Sequence, residues 1–371
     1  KLVSINNFSV YSILFFTFVF FDITFQDVQV GGRSLTFFIS SLILLLFLIE
    51  LITTNPRFEI PIYDGIAIII YFYFLFIFVS ILFSNEIGFS FSDITNVLQM
   101  LLYYVCAEIF FRKIYILKQF IVLLFIFSFV TSFYTILNSF NFYLNFGKFT
   151  QLQGNTMEYS FFLDNRNLIA YVILVGLQIP LNMLHSVKIK KLKSILFIIV
   201  LTFTLSIILT YSRAGIILLL ITFLLYFFNG EVKNSNKLLL IVCSLVVFFL
   251  LQFYFGSLWY DVLLNRMSVE GIMKSEVGVT GRFTVWPMAI QGWLENPFFG
   301  IGTGRSLYYL NIWPHNTYLL ILLERGIFSL LLYLIIIVYF LFLAQKLKKL
   351  AKNENKIIFS AIIGILIVHY I

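Results

Sequence analysis

Long apolar runs, broken by short polar clusters, fill most of this chain. Crossing a hydrocarbon core about 30 Å thick takes roughly 17–25 helical residues, and the runs have that length. Reading them between their polar breaks predicts helical spans near residues 8–25, 35–53, 62–83, 91–110, 116–138, 167–184, 195–211, 214–228, 238–255, 327–345 and 357–371, eleven in all. The first run lacks a small-residue cleavage site and reads as a retained span, not a signal peptide. The chain starts without Met and stops inside an apolar run at Ile371. Both ends are therefore expected to be clipped, with a twelfth span in the full chain.

One run carries more information than the rest. Residues 195–228 are almost unbroken apolar sequence with basic residues on both flanks. A single helix of that length would be about 51 Å long, too long for one crossing. The run is expected to fold as a tight helical hairpin with its apex at Tyr211-Ser212-Arg213-Ala214-Gly215. Arg213 would then sit at a membrane interface, where a cation is costly without an anionic partner.

Composition agrees with the pattern. Of 371 residues, 61% are hydrophobic and only 11% charged, more apolar surface than a water-soluble core absorbs. The expectation is an all-α polytopic membrane protein forming one integral membrane domain over residues 1–371. The net charge of +8 matters through its placement, and hydropathy leaves no case for a nucleic-acid partner. With a cytoplasmic N-terminus, sixteen of the 25 Lys and Arg fall on the inner side, including 188-KIKK-191 and 346-KLKKLAK-352. That distribution obeys the positive-inside rule. Cys106 and Cys243 lie in apolar runs and read as packing residues.

Two expected outer segments, 139–166 and 256–314, are long enough to form an extracytoplasmic cap holding a site. Within 281–326, Arg282, Glu295, Arg305, His315, Asn316, Glu324 and Arg325 crowd together. Arg213 and Arg282, with Arg166, Arg266 and Arg305, fall on the outer side, where guanidinium forks suit phosphate oxygens. Lipid head-group contact, or ion pairs to Glu270, Glu276, Glu295 or Glu324, would also occupy them. His315 suits a general base toward a sugar hydroxyl, and equally an interfacial cap. His185 and His369 carry no such expectation. The glycines of 300-GIGTG-304 follow no strand and precede no Lys-Ser/Thr, so they read as turns that fold the segment back toward His315. No metal-ligand spacing appears on the outer side.

These segments resemble a known family. The stretch 281-GRFTVWPMAIQGWLENPFFGIGTG-304 followed by 314-PHNTYLLILLERGIFSLLLY-333 is similar to the bacterial O-antigen ligase and O-antigen polymerase superfamily. Tyr211–Gly215 resembles that family's Thr/Ser-Arg-Gly/Ala turn, and 162-FLDNRN-167 its Asn-bearing start of a middle span. The resemblance implies a GT-C-like, metal-independent, inverting glycosyltransferase in the bacterial inner membrane with its site facing the periplasm. It implies no cofactor, an undecaprenyl-pyrophosphate-linked glycan as donor, and a lipid-linked glycan as acceptor. Arg213 and Arg282 would hold the pyrophosphate and His315 would act on the acceptor hydroxyl, with Arg166, Asn167, Arg305, Asn316 and Glu324 as secondary candidates. Membrane lipids and a chain-length regulator protein are the further partners expected.

About ten residues separate Gly304 from His315, leaving little room for an acceptor-specific insertion. That favours a polymerase over a ligase, which would deliver the glycan to lipid A-core. A lipid-linked oligosaccharide flippase is a more distant alternative. Transporters tend to carry mid-span charges and broken repeats, whereas polar residues here gather at one face.

Overall fold

A computed structural model describes residues 29–30, 33–34, 42, 65–82, 101, 114–146, 166–187, 189–228, 282–311, 314, 316–351 and 354–370, with scattered positions from 234 to 249. The principal helices are α1 (Gly65–Leu82), α2 (Ile114–Phe146), α3 (Arg166–Ser186), α4 (Lys190–Leu209) and α5 (Arg213–Phe228). They continue with α6 (Arg282–Glu295), α7 (Ser306–Leu310), α8 (Thr317–Leu350) and α9 (Glu354–Tyr370). One small departure from all-α is a pair of two-residue strands, β1 (Gln29–Val30) and β2 (Arg33–Ser34). They pair antiparallel, Gln29 opposite Ser34 and Val30 opposite Arg33.

Four stretches, Ile114–Asn141, Arg166–Leu184, Lys190–Leu209 and Thr317–Leu350, are long and apolar enough to cross a membrane. Ile68–Ser80, Arg213–Phe228 and Ile357–Leu366 are shorter apolar helices. This is a helical membrane protein. The expected spans at 8–25, 35–53, 91–110 and 238–255 lie wholly or mostly outside the described residues, so the number eleven is not established. Helix α2 continues to Phe146, into the stretch expected to begin an outer segment at residue 139.

The chain divides into two compact units. The larger contains α2 to α5, the end of α8 from Leu343, and α9. Its axis is α3, against which α2, α4, α5 and α9 all pack. Of the apolar window of α3, 72% is buried, against 33% for α2 and 39% for α4. A helix apolar on all sides is one surrounded by others. Three glycines let the neighbours come close. A Cβ on Gly176 would overlap Ser128 of α2, one on Gly215 of α5 would overlap Ala170, and one on Gly364 of α9 would overlap Gln178. Without a hydrophobic drive between helices in lipid, such small-residue contacts carry the packing.

Helix α2 displays its solvent directly. Val122, Ile126, Val130, Phe133 and Leu137 recur every three or four residues and are all exposed. Ser128, Thr131, Ser132, Thr135 and Ser139 are buried on the other side. Most of these hydroxyls donate to the carbonyl one turn back, as Thr135 does to Thr131 at 2.8 Å and Ser139 to Thr135 at 2.8 Å. Ser128 also reaches the Val172 carbonyl of α3 at 2.9 Å, and the Ser132 and Ser206 hydroxyls lie 2.6 Å apart. Apolar groups outward and hydroxyls inward reverse the water-soluble arrangement. Lipid favours it, because hydrocarbon offers a hydroxyl no partner.

The smaller unit contains α1, α6, α7 and α8 as far as Phe342. Ile70, Phe74 and Ile77 of α1 pack with Ile336 of α8, while Val285 and Ala289 of α6 pack with Leu310 and Leu323.

Replacing Gly176 with Val forces a branched side chain into Ser128. The expected cost is about 1–3 kcal/mol, measured as a lower melting temperature of the detergent-purified protein. A melting temperature equal to that of the unaltered protein would contradict the packing described.

Candidate functional site

In the larger unit, the hairpin expected over residues 195–228 forms as α4 and α5 joined by Thr210, Tyr211 and Ser212. Three residues must reverse the chain, and each has a distinct part. Thr210 donates its hydroxyl to the Ile207 carbonyl at 2.7 Å and accepts the Ser212 N–H at 3.2 Å. Tyr211 adopts a left-handed conformation with φ 51°, unfavourable for a bulky side chain. Burial offsets that cost: its ring is 1% exposed and packed among Ile136, Phe140 and Leu205. Ser212 caps α5, its Oγ accepting the Gly215 N–H at 3.0 Å.

The same Ser212 hydroxyl donates to Asn167 Oδ1 at 2.7 Å, so one oxygen ties the start of α5 to the start of α3. Arg166 and Arg213 are the first residues of these two helices and both are half-buried. Asn167 is exposed. Two helix N-termini, each beginning with an arginine, thus meet at one end of the unit. Helix N-termini carry partial positive charge and unsatisfied N–H groups, so the arrangement favours an oxyanion.

In the smaller unit the local architecture is a broken helix and the loop that mends it. Gly326 has φ 73° and ψ −175° inside α8. The Ile327 N–H therefore turns away from the Leu323 carbonyl and donates to Pro297 at 2.9 Å. The glycine loop supplies the replacements: Ile301 N–H reaches the Leu323 carbonyl at 2.8 Å and Gly302 N–H the Glu324 carbonyl at 3.0 Å. Gly300 has φ 70°, and any Cβ there would strike the α8 backbone. The expected turn at 300–304 is present, and its physical task is to satisfy a helix interruption.

Of the candidate side chains of this unit, Glu324 and Arg305 adjoin that joint, while Arg282 and Asn316 stand at the starts of α6 and α8. Glu324 is 2% exposed, and its Oε1 accepts the Ser306 N–H at 3.2 Å, anchoring α7. Arg305 is half-buried just before α7, its guanidinium carbon 5.9 Å from the Tyr308 ring centre. Arg282 is exposed at the start of α6. One turn later, Trp286 donates its indole N–H to the Pro314 carbonyl at 2.9 Å. Asn316 caps α8, its Oδ1 accepting from Tyr318 and Leu319 at 3.0 and 3.1 Å. Nearby, burial and then the Glu295 carboxylate raise the Tyr309 hydroxyl pKa above its usual value.

Arg166, Asn167 and Arg213 are thus brought together in one unit, and Arg282, Arg305, Asn316 and Glu324 belong to the other. His315 lies outside the described residues, as does Arg266; its neighbours Pro314 and Asn316 are both held by hydrogen bonds. Among the described residues, no three His, Cys, Asp or Glu side chains gather as metal ligands do. Sequence reasoning passed over two contributors. Ser212 precedes Arg-Ala-Gly as an N-cap serine does, a signal that was available. Tyr73 accepts a hydrogen bond from Arg325 Nη1 at 2.8 Å, a pairing across 252 positions that no local pattern announces.

Ser212→Ala removes both the cap and the link to Asn167. The expected loss is about 0.5–2 kcal/mol of local stability, seen as faster hydrogen exchange at the Gly215 amide. Unaltered exchange at that amide would contradict the role given to the hydroxyl.

Residues 197–334 match the family model described as O-antigen ligase. No match to a curated protein was found. The matched region starts within α4 and ends within α8, taking in the Ser212 turn, Arg282, the glycine loop and the segment from His315 to Glu324. The likeness of this chain to the O-antigen ligase family is thus carried by residues 197–334.

Proposed function

We propose that the protein is a surface-polysaccharide polymerase. It transfers a glycan from undecaprenyl pyrophosphate to a hydroxyl of another lipid-linked repeat unit, at the outer face of the bacterial inner membrane. The observation that carries this reading is the Ser212–Asn167 hydrogen bond, which sets Arg213 and Arg166 at two neighbouring helix starts. A pyrophosphate is the anion such a cluster suits, and a lipid-linked one reaches it along the membrane surface. Sidedness comes from the basic residues. Lys190, Lys191 and Lys193 begin α4, one helix length away from the turn, and the positive-inside rule assigns that end to the cytoplasm.

In the proposed reaction the acceptor hydroxyl oxygen attacks the anomeric carbon as the bond from that carbon to the pyrophosphate oxygen breaks. The departing lipid pyrophosphate takes the bonding electron pair. The hydroxyl proton passes to His315, and the configuration at the anomeric carbon inverts. Charge builds on the leaving oxygen in the transition state, so Arg213 and Arg282 stabilise that state more than the bound donor. No step of this scheme calls on a metal ion. Glu324 and Asn316 act in it as supports, the first holding α7 and the second starting α8 directly after His315.

A ligase would use the same donor and differ in its acceptor, lipid A-core. The short spacing from Gly304 to His315 favours the polymerase.

Arg213→Ala and His315→Ala are each expected to reduce transfer by at least about 10²–10³-fold in purified protein that still inserts and elutes normally. Full activity in either variant would remove that residue from its role. The lipid-linked glycans of a deletion strain separate the acceptors. Single repeats accumulating on the outer leaflet indicate a lost polymerase, long lipid-linked polymer a lost ligase, and repeats trapped on the inner leaflet a flippase.

A further inference from the structure

Side chains from one face of α1 reach the broken part of α8. Tyr73, Phe76 and Ser80 recur at helical spacing, and each meets a different side of the break. The Tyr73 hydroxyl accepts from Arg325 Nη1 at 2.8 Å, just before Gly326. The Phe76 ring centre stands 5.8 Å from that of Phe328, just after it, and 6.3 Å from that of Phe299 in the mending loop. The Ser80 and Thr303 hydroxyls lie 2.8 Å apart. One helix thus holds residues before the break, after it and in the loop.

The break also bends α8 sharply. Tyr318 and Tyr333 have ring centres 6.2 Å apart. Along a straight helix the same two residues would be separated by roughly 22 Å. The arm before Gly326 therefore turns toward the arm after it. Asn316 caps the start of the first arm, directly after His315 in the chain.

Tyr73 is linked to both ends of that first arm. Its ring centre is 6.1 Å from that of Tyr333, which in turn meets Tyr318 near the arm's start. Its hydroxyl holds Arg325 at the arm's end, and the guanidinium carbon lies 5.9 Å from its ring centre. Arg325 is half-buried, and its Nε has no hydrogen-bond partner among the described residues. A cation so placed is costly unless its other groups are met, so the charge-assisted bond to Tyr73 bears directly on where Arg325 rests.

We propose that Tyr73 is a positioning residue: through Arg325 and Tyr333 it sets the angle between the two arms of α8, and with it the place of the arm that follows His315. The inference rests on the transfer reaction proposed above. Helix α1 lies outside residues 197–334, so the family match gives Tyr73 no part. Misplacing a reacting group by about 1 Å can cost roughly 10²-fold in rate, and loss of the Tyr73 hydroxyl frees the arm to move on that scale.

The test measures kcat and KM for transfer from the lipid-linked donor in nanodiscs. It compares the unaltered protein, Tyr73→Phe, Arg325→Gln, the double variant and Ser80→Ala, with hydrogen exchange at amides 320–323 followed on the same samples. Tyr73→Phe keeps the ring and loses the bond. It should lower kcat at least about tenfold, leave the donor KM within about twofold, and speed exchange in the arm. The double variant should be no slower than the slower single one, because both changes break one interaction. Ser80→Ala removes a different contact of α1 and should keep kcat within about twofold. Equal losses in Tyr73→Phe and Ser80→Ala, an effect on KM alone, or additive losses in the double variant would overturn the proposal. Absence of transfer by the unaltered protein would instead remove the polymerase reading. Exchange then decides the hold of Tyr73 on the arm: faster exchange in Tyr73→Phe supports it, and unaltered exchange overturns it. Each variant's elution profile and melting temperature show that it is folded.

Discussion

A chain that reverses within three residues must satisfy its own turn. Between α4 and α5 only Thr210, Tyr211 and Ser212 intervene, and the helix-end groups around them need partners. The hydroxyls of Thr210 and Ser212 take that duty, one closing α4 and the other opening α5. Because Ser212 also donates to Asn167, the solution to the turn fixes where α3 begins relative to α5. Gly215 against Ala170 then brings the two helices together. Arg166 and Arg213 stand at their starts as a consequence. The cation cluster is thus built by requirements of folding before any ligand is considered.

The smaller unit answers the same requirement with different chemistry. A helix that breaks at Gly326 leaves carbonyls exposed, and the loop from Pro297 to Gly302 caps them with its own backbone. Gly300 and Gly326 are needed because a Cβ on Gly300 would strike the Leu323–Arg325 backbone and one on Gly326 the Phe298–Phe299 backbone. The loop glycines that resemble a phosphate-binding sequence are occupied in closing a helix. Elsewhere in this unit, Pro314 is held by the Trp286 indole and Asn316 caps the start of α8.

Much of this was legible in the chain itself. Apolar run lengths foretold α1 to α5, α8 and α9, and the 34-residue run between basic flanks foretold the hairpin and its apex at Tyr211–Gly215. That inference succeeds because bilayer thickness bounds a helix from outside, with no tertiary detail required. Contacts between distant segments were not legible. Nothing local to Asn167 says that its amide oxygen accepts from Ser212, or that Arg325 donates to Tyr73. Asn316 and Glu324 were expected near the chemistry; their polar atoms cap one helix and anchor another. Sequence pattern identifies residues that are costly in lipid, and only the packing shows which of them folding has already used.

The central claim is that this protein moves a glycan off a lipid pyrophosphate. Transfer itself tests it most directly. The purified protein, reconstituted in nanodiscs, would receive an undecaprenyl-pyrophosphate-linked repeat unit labelled in its sugar, with the products separated by size and by lipid. The account predicts lipid-linked chains of two or more repeats, with one undecaprenyl pyrophosphate released for each bond formed. Donor that remains intact, with no lipid pyrophosphate released in the presence of either a lipid-linked or a lipid A-core acceptor, would contradict it.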